Sequence, residues 1–192
     1  MTRVAILDDH PMVRAGVEAF VEAEPGMSVA AAVATVAEAE VACDETAPDV
    51  LVSDYHLPDG DGLSLCLRLN EDGGPPVVLF SAFADGELAV LAAVAGARAV
   101  VPKSADPSEL IDAVRAAARG ERAGHEAHPL ALRAAGERLD PDDLPVLGML
   151  VHGVPPTEIA NTLGVERDRL DERRQAMLAR LRGDRVGAVP GP

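Results

Sequence analysis

The sequence predicts an α/β domain over residues 1–120, a doubly wound parallel sheet of five strands, followed by a small all-α helix-turn-helix domain over residues 139–183. Three observations carry this expectation. Apolar runs of strand length alternate with runs of helix length through the first 120 residues, the pattern of a parallel sheet with helices on both faces. The alternation stops near residue 120, and from Leu139 onward apolar residues recur only at helical spacing. Proline and glycine punctuate the joins where helices begin and end.

In chain order, strands are expected at Val4–Leu7, Val29–Ala34, Val50–Ser53, Val77–Phe80 and Ala99–Val101. Helices are expected between and after them, at Pro11–Glu24, Val36–Glu45, Gly62–Leu69, Gly86–Ala95 and Pro107–Arg119. Pro11 and Pro107 suit a first helical turn, and Asp106 reads as the N-cap of the last of these helices. Gly26, Pro48, Gly73-Gly74-Pro75-Pro76 and Gly96 mark connections. Residues 121–138, with Gly124, His125, His128 and Pro129, read as a linker. Three helical blocks follow, at about Asp142–His152, Pro156–Leu163 and Glu166–Arg182. The last two, joined through Leu163-Gly164-Val165, form a helix-turn-helix pattern with Ile159, Ala160, Leu163, Val165, Leu170, Met177, Leu178 and Leu181 as its core. Residues 184–192 read as a flexible tail.

Composition narrows the function classes. Aromatics make up 2% of the chain (Phe20, Tyr55, Phe80 and Phe83), so Ala, Val and Leu must fill the cores and no aromatic platform for single-stranded nucleic acid is available past residue 120. Residues 1–120 hold 20 acids against 7 bases and residues 121–192 hold 12 against 10, giving −13 and −2 of the total −15. A field of that sign repels polyanions at long range. Cys43 and Cys66 lack metal-type spacing and read as reduced, partly buried thiols. No apolar stretch is long enough for a bilayer and no signal peptide is visible, so the expectation is a cytoplasmic protein without membrane partners.

The chemistry is concentrated at the strand ends. Lys103 is the only lysine among 17 basic side chains, which suggests a position that needs a compact ammonium rather than a guanidinium fork. Asp8, Asp9, Asp54 and Ser81 close three other apolar runs, and in parallel sheets ligands bind beyond the carboxyl ends of the strands. Together they predict a small anionic pocket for a divalent cation and phosphate, closed by Lys103. Asp8 and Asp9 as helix caps and Lys103 as a surface ion pair would explain each residue singly, but not their convergence.

The succession Asp8-Asp9-His10-Pro11, Asp54-Tyr55-His56-Leu57-Pro58-Asp59-Gly60-Asp61-Gly62, Ser81-Ala82 and Lys103, with 22 residues from Ser81 to Lys103, resembles the receiver domain of two-component response regulators, and more closely the NarL/FixJ branch. The resemblance covers residues 1 to about 120. It implies a flavodoxin-like receiver with strand order 2-1-3-4-5. It also implies a phosphoryl group accepted by Asp54 from a sensor histidine kinase, and Mg²⁺ held by Asp8, Asp9, Asp54 and the His56 backbone carbonyl. Ser81 and Lys103 would bind the phosphoryl oxygens. Such a protein is not an enzyme beyond slow self-dephosphorylation; an independent phosphatase would need a second acid–base carboxylate and a substrate cap, and neither is recognisable. His10 reads as a loop residue. One departure stands out: Val100 occupies the position, three before the lysine, where this family usually carries an aromatic switch.

The second half resembles the LuxR-type helix-turn-helix, through Val146-Leu147, Gly153, Glu158-Ile159-Ala160, Leu163-Gly164-Val165 and Met177…Leu181. This implies DNA as a partner, a possible homodimer, and Arg167, Arg169, Arg173 and Arg174 as candidate DNA contacts. Asp142 and Asp143 replace the usual Arg-Glu pair, and Arg169-Leu170 the usual Thr-Val pair. Asp171 and Glu172 fall where the groove-facing side chains would lie. Like charges at about 4 Å repel by roughly 4 kcal/mol at an effective dielectric of about 20. The alternative is therefore a degenerate output that binds protein, a sigma factor or another regulator, through a helix laced by ion pairs such as Asp171–Arg174.

Overall fold

The computed structural model describes residues 1–124 and 127–183; the expected tail at 184–192 lies outside them. The chain runs β1 (Thr2–Leu7), α1 (Pro11–Ala23), β2 (Met27–Val33), α2 (Val36–Thr46), β3 (Val50–Ser53), β4 (His56–Leu57), β5 (Gly60–Asp61), α3 (Gly62–Glu71), β6 (Val77–Ser81), α4 (Gly86–Ala95), β7 (Ala99–Pro102), α5 (Pro107–Ala118) and β8 (Ala123–Gly124). Then come α6 (Pro129–Arg138), α7 (Asp143–Val151), α8 (Pro156–Leu163) and α9 (Arg167–Arg182). The main sheet is parallel throughout, in the order β2-β1-β3-β6-β7-β8. Its first five members are the five expected strands in the expected order.

Two features differ from expectation. A short antiparallel hairpin, β4–β5, follows Asp54, and residues 121–138, read from the sequence as a linker, hold the strand β8 and the helix α6. Two-residue strands are too short to show a period of two, and α6 opens with His128 accepting from the Leu130 amide ahead of Pro129, a capping arrangement that histidine rarely advertises.

Alternation along the strands divides the core. Val4 and Ile6 of β1 join Val17 and Val21 of α1 and Leu110 and Val114 of α5 on one face. Ala5 and Leu7 point the other way, toward α2, α3 and α4. This second core does not end at the receiver-like half. It continues through Val146, Leu147, Leu150, Ile159, Leu170, Met177, Leu178 and Leu181 of the helical region.

Helix α4 is the reason. Its sequence GELAVLAAVA is apolar around its whole circumference after Glu87 in the first turn, and residues Leu88 to Ala95 are all buried. A helix without a polar face must be covered on every side. The sheet and α3 cover part of it, and α6, α7 and α9 cover the rest. Leu163 and Val165, expected in the helix-turn-helix core, are instead each 38% exposed. They sit at the turn between α8 and α9, while the buried face of the pair is used by Ile159, Ala160, Leu170 and Met177.

Candidate functional site

Asp8 and Asp54 follow β1 and β3, Ser81 ends β6, and Lys103 follows β7, so the parallel sheet delivers four side chains to one edge. Lys103 Nζ lies 2.7 Å from Asp54 Oδ2, to which it donates a hydrogen bond, and 2.7 Å from Asp8 Oδ2. Both carboxylates are buried, at 2% exposure for Asp8 and 6% for Asp54. Burial works against the ammonium, but its bonds to Asp54 and Asp8 outweigh it and hold the Lys103 pKa above the usual lysine value.

The charges are not fully matched. Asp8 Oδ2 and Asp9 Oδ1 are buried and accept no hydrogen bond, although Asp8 Oδ2 is within ion-pair distance of Lys103. One lysine faces three carboxylates, and two of their oxygens are left with acceptor capacity. Asp8, Asp9, His10 and Asp54 each offer a ligand atom, all within 4.8 Å of one another. Hard oxygen donors left short of protons are what a small divalent cation requires. His10, expected to be a loop residue, does lie in the loop between β1 and α1, and its Nδ1, 2.7 Å from Asp9 Oδ1, brings it into this group.

Neighbouring backbone fixes the carboxylates. Asp8 Oδ1 accepts from the His10 amide at 2.9 Å, Asp54 Oδ1 from the Tyr55 amide at 2.6 Å, and the Asp8 carbonyl from Arg14 Nη1 at 2.6 Å. Gly62 packs so closely on the loop that a Cβ there would lie 2.3 Å from the Asp54 carbonyl oxygen. Only glycine closes that turn. Ser81 is buried, and its Oγ accepts from the Phe83 amide at 3.2 Å. His56 is exposed on β4, opposite Asp61. Asp59 accepts from the Val36 and Ala37 amides, which lowers its pKa and ties the hairpin to the start of α2. Val100 is buried in β7 beside α4.

Three of the four candidate DNA-contact arginines, Arg167, Arg173 and Arg174, are engaged within the protein. Arg174 is completely buried; its Nε donates to the Val94 carbonyl at the end of α4 and its Nη1 to Asp171 Oδ1 at 2.8 Å. Arg167 donates to the other Asp171 oxygen at 2.8 Å and to the Asn70 carbonyl of α3. Arg173 donates to Asp143 at 2.6 Å, and Arg180 shares that carboxylate. Arg169 alone of the four is exposed and makes no ion pair among the described residues. Asp171, expected to face outward, is buried, whereas Glu172 is exposed. Arg182, at the far end of α9, donates to both Asp61 oxygens and to Ser64 at the start of α3. Gly96, at φ +85°, accommodates this docking, since a Cβ there would be 2.8 Å from Arg174 Nη2. Residues 167, 171 and 174 share a helix face by spacing, and that signal, with the all-apolar α4, could have revealed the docking.

Burial pushes the Cys43 thiol up to about 11 and the Cys66 thiol up to about 12, so both are unreactive core residues. No helix among the described residues is long and apolar enough to cross a membrane.

Comparison with known proteins matches residues 4–115 to the response regulator receiver domain. The transcriptional regulatory protein LiaR of Bacillus subtilis is 33% identical over 125 residues, spanning 63% of this chain and 58% of LiaR. The DNA-binding transcriptional activator DevR/DosR of Mycobacterium tuberculosis is 29% identical across 94% of this chain and 88% of its own. Among solved structures, a LuxR-family two-component response regulator from Aurantimonas sp. SI85-9A1 is 34% identical with a TM-score of 0.61, covering 73% of this chain and all of that one.

Proposed function

The chain belongs to the response regulator receiver family, and on that footing we propose that it is a phosphorylation-controlled transcriptional regulator, with Asp54 as phosphoacceptor and α8–α9 as its output. The observation that carries this is the meeting of Lys103 with Asp54 and Asp8 at 2.7 Å, beside the Asp9 carboxylate, so that one ammonium serves a cluster of three acids. An Asp54 oxygen attacks the phosphorus of a phosphohistidine on a sensor kinase. The P–N bond breaks, the imidazole leaves, and an acyl phosphate forms. No general base is needed, because the nucleophile is already ionised. The demand is for positioning and for positive charge at the phosphoryl oxygens.

Lys103 supplies a fixed ammonium there, and Ser81 Oγ is placed on the same edge to bond a phosphoryl oxygen. Asp8, Asp9 and Asp54, with the His56 carbonyl, would hold Mg²⁺, which when bound adds charge neutralisation at the transferring group. The protein accepts one group rather than turning over a substrate.

α9 is docked on α4 and bonded to α3, which buries its Leu170–Asp171–Arg174–Met177 side and leaves Arg169 and Glu172 exposed. Phosphorylation acts on the same loop that Arg182 grips through Asp61, seven residues beyond Asp54. Added charge at Asp54 shifts a population only if docked and released states contact it differently, and that grip is a difference of this kind. The released helix would act on DNA, which the likeness to the DNA-binding activator DevR/DosR over nearly the whole chain supports, and a homodimer would set it on paired half-sites. A protein partner is the second reading. It is favoured by the commitment of Arg167, Arg173 and Arg174 to internal carboxylates and carbonyls.

Incubation with a small acyl-phosphate donor and Mg²⁺ is expected to add one phosphoryl group by intact mass, and Asp54→Asn to add none. Equal labelling of Asp54→Asn would end the receiver mechanism. Selection from random DNA with the phosphorylated protein separates the outputs. Enrichment of a motif supports DNA binding, and recovery of no motif alongside a protein captured through residues 139–182 supports the second reading.

A further inference from the structure

Behind α4 the structure contains a second pocket that the phosphoacceptor chemistry does not use. It is an open cavity of about 490 Å³ between β7, β8 and the α6–α7 region, with Ala92, Val100 and Leu132 on its apolar wall and Arg98, Arg122 and His152 around it. Its volume is in the range of small-molecule sites, which run from about 300 to 1,000 Å³. The space exists because α4 and β7 present small side chains here: Ala89, Ala92, Ala93 and Val100.

The charge around it is anomalous for this protein. Acids outnumber bases 32 to 17 along the chain, and the docked arginines Arg167, Arg173, Arg174, Arg180 and Arg182 all have carboxylate partners. Arg98 and Arg122 have none among the described residues. Arg122 donates only to carbonyls, those of Ala97, Leu150 and Val151, and the Arg98 guanidinium makes no hydrogen bond there. Arg174 stands close by with a buried Nη2 that lacks an acceptor. Burial, and then the neighbouring positive charges of Arg98 and Arg174, lower the Arg122 pKa. A half-buried pair of guanidiniums facing a cavity, each with unused N–H groups, is suited to an oxyanion.

We propose that this cavity is a binding site for a small amphiphilic anion, a phosphate, sulfonate or carboxylate on an apolar body, with Arg98 and Arg122 holding the charged group and the Ala92–Val100–Leu132 wall holding the rest. The site joins both halves of the molecule. Arg98 and Val100 belong to the sheet domain, whereas Leu132 lies on α6 and His152 follows α7. An occupant therefore stabilises the docked arrangement, and by linkage the docked arrangement favours the occupant. Only this regulatory consequence rests on the reading of Asp54; the site itself does not.

The probe is 8-anilinonaphthalene-1-sulfonate, an aromatic body bearing one sulfonate, titrated against the full-length protein by fluorescence and calorimetry. N-phenyl-1-naphthylamine, the same body without the anion, is the control. One saturable site for the sulfonate is expected. Affinity should fall at least tenfold in Arg98→Gln and further in Arg98→Glu, with the neutral probe bound at least tenfold more weakly and indifferent to both changes. Asp54→Asn should bind the sulfonate like the parent, which separates this test from that of the phosphoacceptor. Absence of saturable binding, or an affinity unchanged by Arg98→Gln, would overturn the proposal. Circular dichroism confirms that the variants fold; Arg98 is only partly buried and its side chain bonds nothing else, so its loss leaves no buried partner stranded.

Discussion

Asp171→Ala is expected to destabilise the protein by about 3–5 kcal/mol, the usual cost of removing one partner from a buried ion pair. The carboxylate is buried and accepts from Arg174 and Arg167 at 2.8 Å each. Without it, the fully buried Arg174 keeps only the Val94 carbonyl for its charge. The guanidinium then escapes to water only if α9 leaves α4. Urea unfolding should show the midpoint falling, or a first transition splitting off as the helical region detaches. The double change Asp171→Leu with Arg174→Met should recover most of the loss, because apolar residues of similar volume often replace a buried pair at little cost. A drop below about 1 kcal/mol for Asp171→Ala would mean that the pair is solvated and α9 is not held as described.

Lys103→Ala is expected to slow phosphoryl uptake from a small donor by about 10²- to 10³-fold, the range for removing one preorganised charge donor from a transition state. Lys103→Arg should not restore the rate, since a broad planar fork cannot take the place of an ammonium held 2.7 Å from two carboxylates. The pH dependence has a definite sign. The folded pKa of Lys103 is raised, so its contribution to stability is complete below the ordinary 10.5 and is lost as pH rises through the higher folded value. Uptake by the parent should therefore show no fall from deprotonation of this group between pH ~7 and ~9. A rate in Lys103→Ala within threefold of the parent would remove the lysine from the chemistry.

Much of this was readable from the residues alone because polar side chains at the ends of apolar runs are conspicuous. Asp8, Asp54, Ser81 and Lys103 interrupt four such runs, and a parallel sheet necessarily gathers strand ends on one edge. What escaped was of three kinds. The hairpin β4–β5 and strand β8 have two residues each, too few to carry a period. The docking of α9 escaped for a different reason. Reading Arg167, Arg173, Arg174 and Asp171 as a solvated surface treats the helix-turn-helix as a free unit, but α4 has no polar face to leave uncovered. The partner of an all-apolar helix had to come from somewhere: Leu170, Met177, Leu178 and Leu181 of α9 join its core, and Arg174 bonds the Val94 carbonyl at its end. His10 is Asp9's neighbour in the chain, but a histidine in a loop carries no pattern that says its ring turns to that carboxylate.

Amide hydrogen exchange with and without an acyl-phosphate donor and Mg²⁺ reads out whether chemistry at Asp54 governs a helix docked on α3 and α4. Phosphorylation is expected to speed exchange in α9 and in the residues of α4 that it covers, Leu88–Ala95, and to leave α1 and α5 unchanged. Asp54→Asn, given the same donor, should show none of this. If α9 and α4 exchange at the same rate while intact mass confirms a phosphoryl group on Asp54, phosphorylation does not control the docking and the account is wrong.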